Sequence, residues 1–167
     1  MRVALAIVVP LVAALLQASV VPFIAVGGAR PNLVVLVAAS WSVAAGAREG
    51  VWWAFVGGLA ADLLSGGPLG AQALAALLPV TLVGLSDPSL RARSALTGAV
   101  LVAAASLGSG LIYLAILGAL GAVTGDVPLL LATVVGSAIY NSALAIATFP
   151  LLRGVRRTTE KQASFGL

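Results

Sequence analysis

The sequence predicts an all-α, polytopic membrane protein with six transmembrane helices and both termini in the cytoplasm. Three observations lead to this fold class. First, 61% of the 167 residues are hydrophobic and only 8% are charged, whereas a typical soluble domain has about 25% charged residues. Second, the hydrophobic residues form six runs, each close to the ~20 residues that cross a bilayer. Third, the basic residues lie between these runs, almost all on one predicted side of the membrane.

The six runs define one integral membrane domain over residues 1–167. The predicted helices cover residues 3–26, 33–47, 48–64, 69–85, 94–121 and 127–152, and a short basic cytoplasmic tail follows at 153–167. The first run is longer than the core of about 7–15 apolar residues in a cleaved signal peptide. We therefore expect it to be retained as a helix, with cleavage as the alternative.

The basic residues predict the orientation. With the N-terminus in the cytoplasm, only Arg30 of the nine basic residues falls on the outer side, as the positive-inside rule requires. The other eight are Arg2, Arg48, Arg91, Arg93, Arg153, Arg156, Arg157 and Lys161. We expect the last four to fix topology and contact anionic lipid, with docking of a cytoplasmic protein as the alternative. No basic patch is gathered for nucleic acid, so no such partner is expected.

Composition excludes several kinds of chemistry. The chain has no cysteine and no histidine, which excludes disulfides, Cys/His metal sites and Ser-His-Asp triads. An intramembrane enzyme would need an acid–base pair, a metal cluster or an activated nucleophile. A single acid in the apolar runs, Asp62, does not supply one. We therefore expect no enzyme, no cofactor and no metal site.

The stretch GGLAADLLSGGPLGAQAL places that acid and a sharp turn within apolar sequence. The turn after Asp62 consists of Ser65, Gly66, Gly67 and Pro68. Gly66 and Gly67 permit the backbone that ends a helix, and Pro68 can begin the next one. We expect the Asp62 carboxylate to accept hydrogen bonds from the free N–H groups of residues 69–72. Docking of another protein and a proton or ion relay are the alternatives.

Polar and small residues predict how the helices associate. Thr133, Ser137 and Asn141 lie along one stripe of the last helix, and Gln17 and Tyr113 are further polar candidates for burial. Small residues four apart occur in the third and fifth helices, at Ala54 and Gly58, Gly57 and Ala61, Ala104 and Gly108, and Ala105 and Ser109. Such residues join helices in lipid. We expect internal packing, and the alternative is an interface with a second protein or, in a homodimer, a second copy.

Three stretches resemble the MreD family of rod shape-determining proteins: RPNLVVLVAASW, GGLAADLLSGGPLGAQAL and AIYNSALAIATFPLLRGVRR. The matching positions are Pro31 and Asn32 at the second helix; Asp62, Ser65, Gly66, Pro68, Leu69 and Gly70 in the family's D-x-x-S-G-x-P-L-G turn; and Asn141, Pro150, Arg153 and Arg156 near the end. The central turn is the specific part of this resemblance.

The resemblance implies a non-catalytic scaffold of the elongasome in the bacterial cytoplasmic membrane, with a role in side-wall peptidoglycan synthesis and rod cell shape. It implies binding to MreC and, through MreC, association with MreB and the RodA–penicillin-binding protein 2 synthase. The six-helix fold is also similar to the S components of energy-coupling-factor transporters. This similarity implies the alternative function, a vitamin-like binding subunit of a transporter, with Asn32, Asp62, Gln72 and Asp126 near an outward pocket.

Overall fold

The computed structural model describes residues 2–87, 89, 94–123 and 125–164, apart from the side chains of residues 2, 3 and 159–164. Arg91 and Arg93, which count toward the predicted orientation, lie outside the described residues. Within the described part the fold is all-helical, as predicted, with six α-helices and no strand. They are α1 (Arg2–Ser19), α2 (Leu33–Ala45), α3 (Ala47–Ser65), α4 (Ala71–Leu85), α5 (Ala95–Ala119) and α6 (Val127–Ser164).

Helix α2 is the centre of the bundle. It packs against each of the other five helices, and ten of its thirteen residues are buried. Around it, α3 packs on α1 and α4, α4 on α5, and α5 on α6. Trp41 of α2 stacks on Trp53 of α3 with ring centroids 4.4 Å apart. A helix that is apolar on all sides is buried, and α2 fits this rule.

Glycines allow the helices to approach closely. A Cβ atom at Gly58 of α3 would lie 2.5 Å from the Cα of Ala73 in α4. A Cβ atom at Gly98 of α5 would lie 2.6 Å from the ring of Phe149 in α6. These distances are shorter than any normal carbon–carbon contact, so both seams require glycine. Close approach at small residues is typical of helices packed in lipid.

The outer surface of the bundle is apolar. Large side chains such as Leu63, Leu85 and Leu129 are each more than 60% exposed. Helices α5 and α6 are long and apolar enough to cross a bilayer, and Ala4–Ser19, Leu33–Ala45 and Ala71–Leu85 are shorter apolar helices. An apolar surface of this extent is stable against lipid rather than water. These observations indicate a membrane protein.

The two largest departures from the predicted helix bounds are at the end of the first helix and at the end of the last. The first helix ends at Ser19 rather than residue 26 and is followed by a 3-10 turn, Val21–Phe23, because Pro22 has no N–H to continue the hydrogen bonds of the α-helix. The predicted tail at 153–167 instead continues α6 as far as Ser164. Arg, Lys, Glu and Gln, which supply half of residues 153–164, are good helix formers in water. Lys161 belongs to this continuation, and its side chain lies outside the described residues.

Candidate functional site

Asp62 caps the neighbouring helix. Its side chain lies in the last turn of α3 and is 2% exposed. Its carboxylate accepts hydrogen bonds from the backbone N–H of Gln72 at 3.0 and 3.2 Å and from that of Ala73 at 3.3 Å. Both groups belong to the first turn of α4, where a helix offers N–H groups that have no intrahelical acceptor. The predicted contact is present, shifted toward residue 73 because α4 begins at Ala71 rather than at residue 69.

The turn between α3 and α4 uses its glycines differently from the prediction. The left-handed backbone occurs at Gly66, with φ 68°, and at Gly70, with φ 85°, and not at Gly67. Pro68 does not open α4, and its carbonyl accepts a hydrogen bond from the Ala71 N–H at 3.2 Å. Because Gly70 is left-handed, helical backbone starts only after it.

Ser65 ties this turn to both helices. Its hydroxyl donates to the backbone oxygen of Asp62 at 3.3 Å and accepts from the N–H of Gly67 at 3.4 Å. The side-chain amide of Gln72 also donates to it, at 3.4 Å. Ser65 therefore closes the end of α3 onto the start of α4, alongside the Asp62 cap.

Asn141 makes a second joint, between α2, α5 and α6. Its side chain is fully buried. Its Oδ1 accepts from the backbone N–H of Asn32 at 3.0 Å, and its Nδ2 donates to the backbone oxygen of Asn32 at 3.1 Å and to Ser106 Oγ at 2.8 Å. One amide thus holds the start of α2 against two helices that are distant in sequence.

Gln17 of α1 also forms hydrogen bonds with the backbone at the start of α2. Its Nε2 donates to the carbonyl of Pro31 at 3.2 Å, and its Oε1 accepts from the N–H of Leu33 at 2.6 Å. The Oδ1 of Asn32 accepts from the N–H of Val35 at 3.1 Å, as an N-cap does. Pro31 brings no N–H of its own. Side chains from α1 and α6 therefore engage backbone polar groups at this buried helix start.

The remaining polar positions of the stripe on α6 do not join helices. Thr133 is half-buried and donates to the carbonyl of Leu130 within its own helix at 2.7 Å. Ser137 is half-buried and takes no part in the Asn141 network. The structure therefore brings Pro31, Asn32 and Asn141 together, and leaves Ser137 apart from them.

Sequence reasoning missed several hydrogen bonds between helices, and two of them lie at helix backbone carbonyls. Pro79 in α4 has no N–H, which leaves the carbonyl of Ala75 without its intrahelical donor, and Ser109 of α5 donates to that carbonyl at 3.1 Å. Pro79 within a predicted helix was the available signal, because it predicts that the carbonyl four residues earlier, at Ala75, needs a donor from elsewhere. The second joint is a hydrogen bond from Arg156 of α6 to the carbonyl of Ala44, in the last turn of α2. A cation at a helix C-terminus is favourable, but no local pattern pairs residues 112 apart.

A cavity of about 390 Å³ lies between α1, α2, α3, α4 and α5; we call it the polar cavity. Its polar lining residues are Gln17, Arg30, Asn32, Gln72, Ser109 and Tyr113. Its apolar lining residues are Val34, Val35, Gly58, Ala75, Ala76 and Gly110. Of the four residues predicted near an outward pocket, Asn32 and Gln72 line it, whereas Asp62 and Asp126 do not.

These features define a helical membrane protein whose buried polar side chains hold helix ends in place. The chain belongs to the MreD family, since the family model for rod shape-determining protein MreD matches residues 1–158. No curated protein and no solved structure matches the chain. Membership confirms the resemblance seen in the sequence, and it assigns the chain to a family of shape-determining structural proteins.

Proposed function

We propose that the chain is a non-catalytic scaffold of the elongasome that binds MreC and supports side-wall peptidoglycan synthesis. In this proposal it lies in the bacterial cytoplasmic membrane, crosses it six times and has both termini in the cytoplasm. Association with MreB and with RodA–penicillin-binding protein 2 is indirect, through MreC. Family membership supports the role in rod shape, and the geometry of the polar residues supports the scaffold.

The observation that carries the proposal is the state of Asp62 and Asn141. They are 2% and 0% exposed, and their side chains are hydrogen-bonded to backbone groups of other helices. A general acid, base or nucleophile must reach the atom on which it acts. Groups that are buried and committed to helix ends build a rigid body instead, which is what a scaffold needs.

Cross-linking to MreC in intact membranes tests the proposal. The chain has no cysteine, so each introduced cysteine is unique and can be paired with single cysteines along the membrane segment of MreC. Exposed test positions on α3, α5 and α6 are Phe55, Val100 and Ile139. Buried controls on the same helices are Ala54, Val102 and Ala145, each 0% exposed. We expect at least one exposed position to cross-link to MreC, with its buried control silent.

Two results would contradict MreC binding: no exposed position cross-links to MreC, or the full chain fails to co-purify with MreC in mild detergent. Cross-links between two copies of the chain at an exposed position would identify that helix as the homodimer face instead. Loss of rod shape on depletion, restored by the wild-type chain, tests the cellular role separately from the contact.

The alternative, a vitamin-like binding subunit of a transporter, has the polar cavity in its favour. Ligand cavities typically have ~300–1,000 Å³ and a few placed polar groups, and this one has about 390 Å³. Thermal unfolding of the purified chain against a panel of vitamins and metal ions tests it. A stabilising vitamin would support the alternative, and a flat panel would count against it.

A further inference from the structure

We propose that the polar cavity binds a molecule that carries a terminal phosphate group, that is, a phosphate monoester. The inference concerns the surplus of hydrogen-bond donors in the lining of this cavity. It does not depend on whether the chain binds MreC.

Three lining residues offer donors that the fold does not use. They are the guanidinium of Arg30, the side-chain amide of Asn32 and the hydroxyl of Tyr113. Asn32 is oriented by the hydrogen bond from Val35 N–H to its Oδ1, so its Nδ2 is the group left to donate. Within the described residues, none of these three groups donates to a protein acceptor.

The acceptors nearby are already engaged. The carboxylate of Asp62 does not line the cavity and accepts from the backbone of α4. Both the nitrogen and the oxygen of the Gln17 side-chain amide are already hydrogen-bonded to the backbone at the start of α2. Arg30 is the one charged side chain in the lining. The lining therefore offers more free donors than free acceptors, and its one formal charge is the positive charge of Arg30. The hydrogen-bonded carboxylate of Asp62 lies outside the lining but acts electrostatically on Tyr113.

A phosphate group matches this set of donors. It presents three strong acceptor oxygens and a charge of about −1.5 to −2 at neutral pH. An arginine guanidinium binds phosphate through two parallel hydrogen bonds, which leaves the third oxygen for a neutral donor such as the Tyr113 hydroxyl. A lining that supplies two neutral donors in addition to one arginine suits a phosphate better than a simple halide.

The apolar part of the lining indicates that the ligand also has an apolar part. It includes Val34, Val35, Ala75 and Ala76. Such a ligand could come from the membrane, as a phospholipid with an exposed phosphate, or from solution, as a small phosphate ester. Both share the group that the three donors recognise, and an experiment distinguishes them.

The experiment measures the dissociation constant of the full chain in dodecylmaltoside, a detergent without phosphate. The probes are dihexanoyl phosphatidic acid, glycerol 3-phosphate and dihexanoyl phosphatidylcholine, whose phosphate is blocked by choline. We expect one equivalent of phosphatidic acid to bind more tightly than phosphatidylcholine. Arg30→Gln should weaken this binding about tenfold or more, because a charged hydrogen-bond pair is lost. Tyr113→Phe should weaken it severalfold.

Arg48→Gln is the matched control, because Arg48 is an exposed arginine at the start of α3 and does not line the cavity. It should bind as the wild type does. Arg30-dependent binding of phosphatidic acid alone supports a membrane-derived ligand, and Arg30-dependent binding of glycerol 3-phosphate supports a soluble one. The proposal is overturned if neither phosphate binds, if phosphatidylcholine binds equally well, or if Arg48→Gln loses as much affinity as Arg30→Gln. Arg30→Gln should still cross-link to MreC, so the two proposals can fail separately.

Discussion

The difference between an acid at position 62 and an amide at position 141 follows from what each side chain meets. Asp62 meets only backbone N–H groups, at Gln72 and Ala73, and a carboxylate has acceptors alone. Asn141 meets both the N–H and the carbonyl of Asn32, so it needs an acceptor and a donor on one side chain. An asparagine at position 62 could place its NH2 group against a backbone N–H, and an aspartate at position 141 would place a carboxylate oxygen against the carbonyl of Asn32.

Replacing Asp62 tests the cap on α4. Asp62→Ala leaves two buried N–H groups without an acceptor, and we expect the free energy of unfolding in detergent to fall by about 1.5–3 kcal/mol. Asp62→Asn keeps one acceptor oxygen and should lose only about 1 kcal/mol. Hydrogen exchange at Gln72 and Ala73 should accelerate in the alanine variant. Unchanged exchange there would show that the cap does not hold this helix start.

Two serines on α2 form a matched pair. Both are fully buried, but Ser42 donates to the carbonyl of Val80 at 2.7 Å, whereas the hydroxyl of Ser40 has no hydrogen-bond partner among the described residues. Ser42→Ala should lower the free energy of unfolding by about 0.6 kcal/mol. Ser40→Ala should be neutral or stabilise by up to about 1 kcal/mol, because a buried polar group is removed. The opposite ranking in an unfolding titration would refute this reading of the core.

At the scale of elements, the seam between α3 and α4 depends on glycine more than on side-chain contacts. Gly58 lies directly against the backbone of Ala73, and Asp62 lies one turn later on the same helix and caps α4. The two residues act together, because the close approach at Gly58 brings the first turn of α4 within reach of the carboxylate.

Adding one methyl group at Gly58 should therefore separate the two helices. We expect Gly58→Ala to lower the free energy of unfolding by about 1–3 kcal/mol, as overpacking does. Gly154→Ala on α6 is the control, since a Cβ there has no neighbour within 4 Å, and helix propensity should make it more stable by up to about 1 kcal/mol. Equal effects of the two substitutions in thermal unfolding would show that the α3–α4 seam is not close-packed.

Which elements could be predicted depended on the distance between partners along the chain. The Asp62 contact lies within one hairpin and was readable from an acid, a glycine turn and a helix start. The partners Asn32 and Asn141 are 109 residues apart, and the sequence showed only that each is polar. The adjacent Trp52 and Trp53 just after Arg48 form a pattern typical of an aromatic belt at the membrane interface. Trp53 is nevertheless 2% exposed and stacks on Trp41, because the packing of the whole bundle decides which face of α3 contacts α2.

At the scale of the whole molecule, the helical part of the central segment is by itself too short to cross a bilayer. Helix α2 has 13 residues, which gives a length of about 20 Å against a hydrocarbon layer of about 30 Å. In a membrane, the polar groups at such a helix start have no water to meet and need protein partners. Gln17 and Asn141 supply them, which explains why two amides converge on this point.

The proposed topology predicts which residues an impermeant maleimide reaches. In spheroplasts, Val26→Cys and Leu69→Cys should be labelled from outside, because both are exposed in the turns at the outer end. Arg48→Cys and Leu96→Cys, exposed at the opposite end, should react only after the membrane is permeabilised. Equal labelling of all four before permeabilisation would exclude six crossings with cytoplasmic termini.

The joint at Asn141 has a consequence for the order in which the protein matures on the ribosome. The hairpin of α3 and α4 closes over ten residues and can be complete as soon as it emerges. The backbone N–H of Asn32 must wait until more than a hundred further residues have been made before Asn141 reaches it. A nascent chain halted before residue 141 therefore has a formed α3–α4 hairpin but lacks the side chain that binds the backbone of Asn32 at the start of α2.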